Sequence, residues 1–264
     1  AASEANIEYI KWDNNRHFSD VFSRQKGYKS GEYFHRYILG LYEIWDVLTA
    51  RFPEILFEAC SSGGNRFDLA TFCYMPQCWT SDNTDPIERL SIQFGTSMCY
   101  PCSTVGAHVS AVPNHQTGRN VSLKTRGYVA LEGTFGYELD VTKIPEEDRN
   151  SIPDQIQMYH KYNDLVREGN YYRIASYAQN HEYDCYMVVS QDQEEALVTF
   201  VQVMMRPNCK SRKIKLKGLI ADADYVLEET GAVYAGDTLM NAGVLIENPW
   251  GDFKGKLLHF TLKK

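Results

Sequence analysis

The sequence predicts an α/β part followed by an all-β part, and three observations carry that expectation. Over roughly the first 165 residues, short apolar runs alternate with polar loops and amphipathic stretches, the beat of βα units in a parallel sheet. Beyond about residue 170 this gives way to short strand-like runs separated by turns, as in an antiparallel sandwich. The early strands also end in unusual polar residues, which in a (β/α)8 barrel would face one pocket at the strands' C-terminal ends. A whole barrel takes about 250 residues, so this length holds about five units. The expected architecture is a partial (β/α)8 TIM barrel over residues 1–169 and an antiparallel β-sandwich over 170–264.

Residues 7–12 (IEYIKW) are β-branched and aromatic and predict a strand that ends at Asp13. Residues 31–52 place Tyr33, Phe34, Tyr37, Ile38, Leu41, Ile44, Trp45 and Leu48 at helical spacing, with Pro53 closing the helix. Ile55–Phe57 is a short apolar strand running into the Gly-rich loop 58–66, and residues 68–76 read as helical. Cys78–Thr80 reads as a strand ahead of Ser81-Asp82-Asn83-Thr84-Asp85, and Pro86 sits where a helix over 87–100 can begin. The beat continues weakly through 98–118 and 126–140, and a helix over 153–168 precedes the boundary near Gly169-Asn170. Strands are then expected over 171–177, 183–190, 196–205, 212–219, 224–229 and 256–262, with Pro207-Asn208, Thr230-Gly231 and Ala235-Gly236-Asp237 as turns.

A net charge of -7 argues against a nucleic-acid partner, because phosphate neutralisation needs a surplus of Lys and Arg. No run of about 18 apolar residues is present to span a membrane. The seven cysteines, an odd and scattered set, suggest free thiols in a reducing, cytoplasmic compartment. Cys99 and Cys102 form a CxxC pair without a partner pair at metal spacing, and His108 and His115 fit no common zinc motif. Neither a metal nor a cofactor is expected. The chain starts at Ala1 with a strand almost at once, which reads as a piece of a longer protein.

Two carboxylates stand out chemically. Asp13 and Asp82 each follow a strand, and two acids at the mouths of neighbouring barrel strands can converge on one substrate atom. Glycoside hydrolysis needs such a pair, one to attack or to activate water and one to protonate the leaving oxygen. Each could equally cap the loop or helix that follows. The loop 60–66 could cradle an anion through its amides, but it lacks a nucleotide P-loop pattern.

Five blocks, IEYIKWDNNR, EACSSGGNRFD, MPQCWTSDNTD, GAHVSAVPNHQ and GTFGYELD, resemble glycoside hydrolase family 36 α-galactosidases, in the family's order and across residues 6–140. The region from 171 onward resembles that family's C-terminal domain through weaker motifs. The resemblance implies a retaining exo-α-galactosidase acting on terminal α-linked galactose of oligosaccharides such as melibiose and raffinose. Asp13 matches the nucleophile and Asp82 the acid/base, with Asp85 as its competitor at the substrate. Lys11 matches a residue that hydrogen-bonds galactose hydroxyls, and Asn15 assists. Cys60 and Gly63 match the loop near the sugar's 2-hydroxyl, Trp79 a wall of the pocket, and Arg66 an orienting residue. Asn14 stands where Met is common in bacterial relatives, and Asn65 where Gly is common.

The family's large N-terminal β-domain and first barrel strands have no counterpart here, so the chain alone is expected to be poorly active and partly aggregated. A homotetramer is implied for the whole enzyme. Transglycosylation of the raffinose-synthase kind and α-N-acetylgalactosaminidase activity are the readings nearest to it, Cys60 weighing against the second. From another class, the isolated chain could serve as a non-catalytic carbohydrate-binding module.

Overall fold

The structure, a computed structural model, describes residues 5–16, 22–24, 27, 29–209, 211–247 and 250–264. These form two compact units, residues 1–82 and 83–264.

The first unit holds a parallel sheet in the order β1-β2-β3, with β1 at Tyr9–Trp12, β2 at Leu56–Ala59 and β3 at Gln77–Cys78. Lys11 lies opposite Glu58 and Trp12 opposite Ala59, so the strands end in step and deliver Asp13 and Cys60 to the same edge. Helix α1, Tyr33–Arg51, connects β1 to β2 and turns Leu41 and Trp45 inward. It stops just before Pro53, whose ring disfavours helical backbone in the preceding residue. Phe57, Ala59, Met75 and Cys78 complete this core. Within the stretch 68–76 expected to be helical, only a 3-10 turn forms, Thr71–Cys73. Asp68 accepts from the Thr71 amide at 2.9 Å, and Pro76 follows within one turn.

The second unit begins with helix α2, Pro86–Thr96, then β4 (Gly106–Ser110), helix α3 (Leu123–Ala130) and β5 (Thr134–Glu138), which pairs parallel with β4. Helix α4 spans Glu146–Glu168, seven residues longer at its start than expected. The sequence predicts a start at Pro153, which the helix instead accommodates in its interior.

Strands β6 (Asn170–Ala175), β7 (Tyr183–Val189), β8 (Glu195–Gln202), β10 (Asp224–Leu227), β11 (Ala232–Ala235) and β13 (Lys254–Leu262) make one antiparallel sheet in the order β11-β10-β13-β8-β7-β6. Between β6 and β7 lies the short helix α5, Tyr177–Asn180, and β9 is Arg212–Ile214. Ala235-Gly236-Asp237, read as a turn, opens helix α6 (Gly236–Asn241), after which β12 (Val244–Ile246) pairs antiparallel with β9. Ala196, Val198 and Phe200 of β8 face a core shared with Ile214, Leu239, Val244 and Ile246. On its opposite face Leu197 meets Leu131, Tyr162 and Leu165, and Val201 meets Ile87 and Val129. Both faces of the sheet are therefore buried, which is why β7 and β8 read as near-continuous apolar runs. The change of secondary structure at Gly169 thus falls inside a compact unit rather than between two.

Candidate active site

Eight of the nine residues singled out from the sequence lie in the first unit, around the C-terminal ends of its three strands. Asp13, directly after β1, is exposed. Burial of its surroundings pulls its carboxyl upward most strongly, but donors outweigh that pull. The Cys60 thiol, the Asn15 side chain, the Asn14 backbone and the Lys11 charge together hold it below the usual aspartate range. Asp13 is therefore an ionised carboxylate, the form a nucleophile requires. The Cys60 thiol is pushed up to about 11, by burial first, while the Gly63 backbone pulls the other way and Asp13 pushes it up further. It stays protonated at neutral pH and so acts as a donor.

Asn15 bridges two segments. Its side chain donates to Asp13 Oδ2 at 3.0 Å, and its Oδ1 accepts from the Ser62 amide at 2.9 Å and the Ser62 hydroxyl at 3.1 Å. Ser61 donates to the Asn14 carbonyl at 2.6 Å. Ser62 and Gly63 both take positive φ, 47° and 80°. At Gly63 a side chain is excluded twice over, because a Cβ would also stand 2.6 Å from Ser81 Cα and 3.1 Å from the Asp82 amide nitrogen. The Gly-rich loop thus runs against the segment that carries Asp82, itself exposed at the surface of this unit.

Arg66 fastens the loop from behind. One guanidinium nitrogen donates to the Trp12 carbonyl at 3.1 Å and the Cys60 carbonyl at 2.9 Å, tying the ends of β1 and β2 together. Lys11 Nζ sits 3.5 Å from the centroid of the Trp79 ring, and Trp79 is 8% exposed. A cavity of about 290 Å³ adjoins the loop, lined by Asn14, Asn15, Arg16, Tyr37, Ser62 and Arg66 among others. A larger cavity, about 960 Å³, lies wholly in the second unit, and none of the candidate residues lines it.

Asp85 corrects one expectation. It is fully buried at the N-terminus of α2, where Oδ1 accepts from the Ile87 and Glu88 amides at 2.9 and 3.1 Å. Thr117 donates to Oδ2 at 2.6 Å, and Arg119 pairs with Oδ1. Both oxygens are committed to capping and to this ion pair, so Asp85 belongs to the scaffold and not to a substrate surface. Ser61 and Ser62 had no assigned role. The signal for them was the SSGG run itself, whose small residues allow the chain to turn back beside β1 and β3.

The arrangement offers an ionised carboxylate, a second exposed carboxylate on an abutting loop, and thiol, ammonium and amide groups that can hydrogen-bond hydroxyls. That inventory suits chemistry on a polyhydroxylated substrate.

Comparison with known proteins agrees. The melibiase family profile matches residues 2–169, and that of the glycosyl hydrolase family 36 C-terminal domain matches residues 183–260. The chain is 49% identical over 252 residues to the α-galactosidase AgaA of Geobacillus stearothermophilus, covering 95% of this chain and 34% of that protein. It is 45% identical to an α-galactosidase of Lactobacillus acidophilus, covering 96% of this chain and 35% of that one. The chain thus spans about a third of the length of these curated relatives. The crystal structure of AgaA superposes with a TM-score of 0.95 at 46% identity, covering 99% of this chain and 36% of that one. AgaA variants have been crystallised with raffinose and with stachyose, the first carrying an aspartate-to-asparagine change and the second an aspartate-to-alanine change.

Proposed function

The chain belongs to the melibiase family of glycoside hydrolases, and on that ground we propose that it carries the reacting carboxylates of a retaining exo-α-galactosidase. The substrates are oligosaccharides with a terminal α-linked galactose, raffinose and stachyose among them. The observation that carries this reading is the Asp13 carboxylate, held ionised by Cys60, Asn15 and Lys11 on a loop system that reaches Asp82.

In this reading Asp13 attacks C1 of the galactose while Asp82 protonates the departing glycosidic oxygen. A covalent β-galactosyl ester forms on Asp13, and the aglycone leaves. Asp82, now a carboxylate, takes a proton from water, which attacks C1 and releases galactose with its α configuration kept. The two carboxyl groups should stand about 5–5.5 Å apart in the complete enzyme. The aspartates changed in the raffinose and stachyose complexes of AgaA are about seventy positions apart, a spacing that fits Asp13 with an aspartate of the Ser81–Asp85 run. Lys11 and Cys60 hydrogen-bond ring hydroxyls, and Trp79 forms one wall.

We take β1 to β5 as successive strands of a (β/α)8 barrel whose remaining strands, and a tetrameric assembly, belong to the longer enzyme. The test is nitrophenol release from p-nitrophenyl α-galactoside by this chain, alone and co-expressed with the preceding region of a relative. Activity on complementation supports the reading. Inactivity of a folded mixture rejects it and favours a carbohydrate-binding module.

A further inference from the structure

Strand β13 is paired unevenly. On one side β8 accompanies it from Lys254 to Thr261, whereas on the other β10 reaches only Phe260 to Leu262. In an antiparallel strand the amide and carbonyl of one residue point the same way, and successive residues alternate. The Leu262 amide donates to the Glu194 carbonyl, just ahead of β8, at 2.7 Å, so the even-numbered residues address β8. The odd-numbered residues address the other side. There the Gly255 amide donates to the Thr125 hydroxyl at 2.9 Å and the His259 amide to Glu229 Oε1 at 3.1 Å. The His259 carbonyl accepts from the Glu228 amide at 2.9 Å. Leu257 lies between these two filled positions. Its amide and carbonyl share their direction, and among the described residues neither meets a hydrogen-bond partner.

This open edge lies in the cavity of about 960 Å³, which Gly255 to Leu258 line together with Tyr128 of α3, Met158 of α4, Tyr234 of β11 and Leu245 of β12. Leu245 is 51% exposed. Lys124, Lys161 and Lys256 line the cavity, and so do Asp154, Glu229 and Glu247, so its charges balance in a chain whose net charge is -7. A charged ligand finds no net attraction there, whereas an uncharged one gains by burying apolar surface.

We propose that the groove takes an extended, uncharged peptide segment as an added strand beside β13. One residue of the partner exchanges both backbone hydrogen bonds with Leu257, and apolar side chains at alternate positions pack on Leu245, Met158 and the tyrosines. Thr125 and Glu229 occupy the flanking amides, so Leu257 alone sets the register. The paired amide and carbonyl favour a peptide over an oligosaccharide, because every peptide residue except proline offers one backbone donor and one acceptor at the matching spacing. The second unit alone carries this site, and it does not draw on the roles of Asp13 and Asp82.

The experiment is ¹H–¹⁵N NMR of the whole folded chain. The probes are short capped peptides alternating threonine with valine, leucine or phenylalanine, each beside a fully N-methylated twin. The expected result is a saturable shift and slowed hydrogen exchange at the Leu257 amide, absent with the twins. Leu245→Glu weakens binding about tenfold or more, while Val233→Glu, an exposed change on β11 outside the cavity, leaves it unchanged. Both positions are exposed, so both variants fold, which thermal unfolding checks.

No response of Leu257 to any of the peptides at about 1 mM, the weak end of specific binding, overturns the proposal. Equal binding by the N-methylated twins overturns strand addition as well. A response to raffinose in place of the peptides overturns it in favour of a sugar site. Leu257 exchange that slows with protein concentration alone overturns it in favour of pairing between two copies of this chain.

Discussion

Tyr171 donates its hydroxyl to Glu132 at 2.5 Å, joining the first strand of the antiparallel sheet to the residue just ahead of β5. Gln93 of α2 donates to the other Glu132 oxygen at 2.7 Å. One buried carboxyl thus ties together three elements of the second unit. Burial pushes it up to about 7, against the pull of the Tyr171 and Gln93 donors, and burial likewise raises Asp184 to about 6.

Both groups are raised in the fold, so their contribution to stability is fully present below the ordinary carboxylate range. It is lost as pH rises through about 6 and then about 7. Carboxylates whose pKa is depressed in the fold are already ionised in folded and unfolded chain across this window and add no slope. Urea unfolding of the second unit should therefore show stability falling from pH 5 to pH 8, by up to about 3 kcal/mol from Glu132. Glu132→Gln should start lower at pH 5, because its amide faces the Gln93 amide, and should follow a flatter profile. A flat wild-type profile, or an unchanged slope in the variant, would contradict this.

Asp85 and Arg119 predict a stability effect where a substrate role would predict a kinetic one. Asp85→Ala removes two amide caps, the Thr117 bond and the partner of Arg119. Breaking a buried pair costs about 3–5 kcal/mol, and the guanidinium's partial exposure lowers this to about 2–4. Asp85→Asn keeps the cap and should lose roughly half as much. Thermal unfolding checks both. A stable Asp85→Asn protein with abolished turnover would instead return Asp85 to the substrate.

Asp13→Asn should remove essentially all turnover in the complemented enzyme. Asp82→Asn should slow alkyl α-galactosides far more than nitrophenyl ones, because only the former depend on acid assistance in the first step. Steady-state rates on the two substrate classes make the distinction.

Arg66→Lys should weaken the site through the scaffold. A lysine is shorter than Arg66 and does not bring a nitrogen to the point between the Trp12 and Cys60 carbonyls where one guanidinium nitrogen now serves both, so the ends of β1 and β2 loosen. The expected result is a loss of stability of about 1–2 kcal/mol together with a raised KM. Unchanged stability with a raised KM would show that Arg66 touches substrate directly.

The strands and helices that position the site were legible because their hydrophobic period is local. IEYIKW, the helix around Trp45 and the LFEA strand need no distant partner to be recognised. What stayed hidden depends on tertiary contacts. The early start of α4 lay behind Pro153, and β11, α6 and β12 are short elements whose burial comes from the core they share with β8. Asp13 and Asp82, proposed here as the reacting pair, could be named from their place after strands and from the family resemblance. Asp85 looked equivalent in the same run, and only its burial against Thr117 and Arg119 separates a cap from a reagent. Ser62 and Gly63 were visible as a loop, but their hold on Asn15 and Ser81 is a contact between segments far apart in the chain.

The most direct test of the central claim is peptide mass spectrometry of the complemented enzyme after reaction with a fluorinated α-galactosyl fluoride whose glycosyl ester hydrolyses slowly. The account predicts one galactosyl adduct on the peptide containing Asp13, absent in Asp13→Asn. No adduct, or an adduct on Asp82 or any other residue, would contradict it.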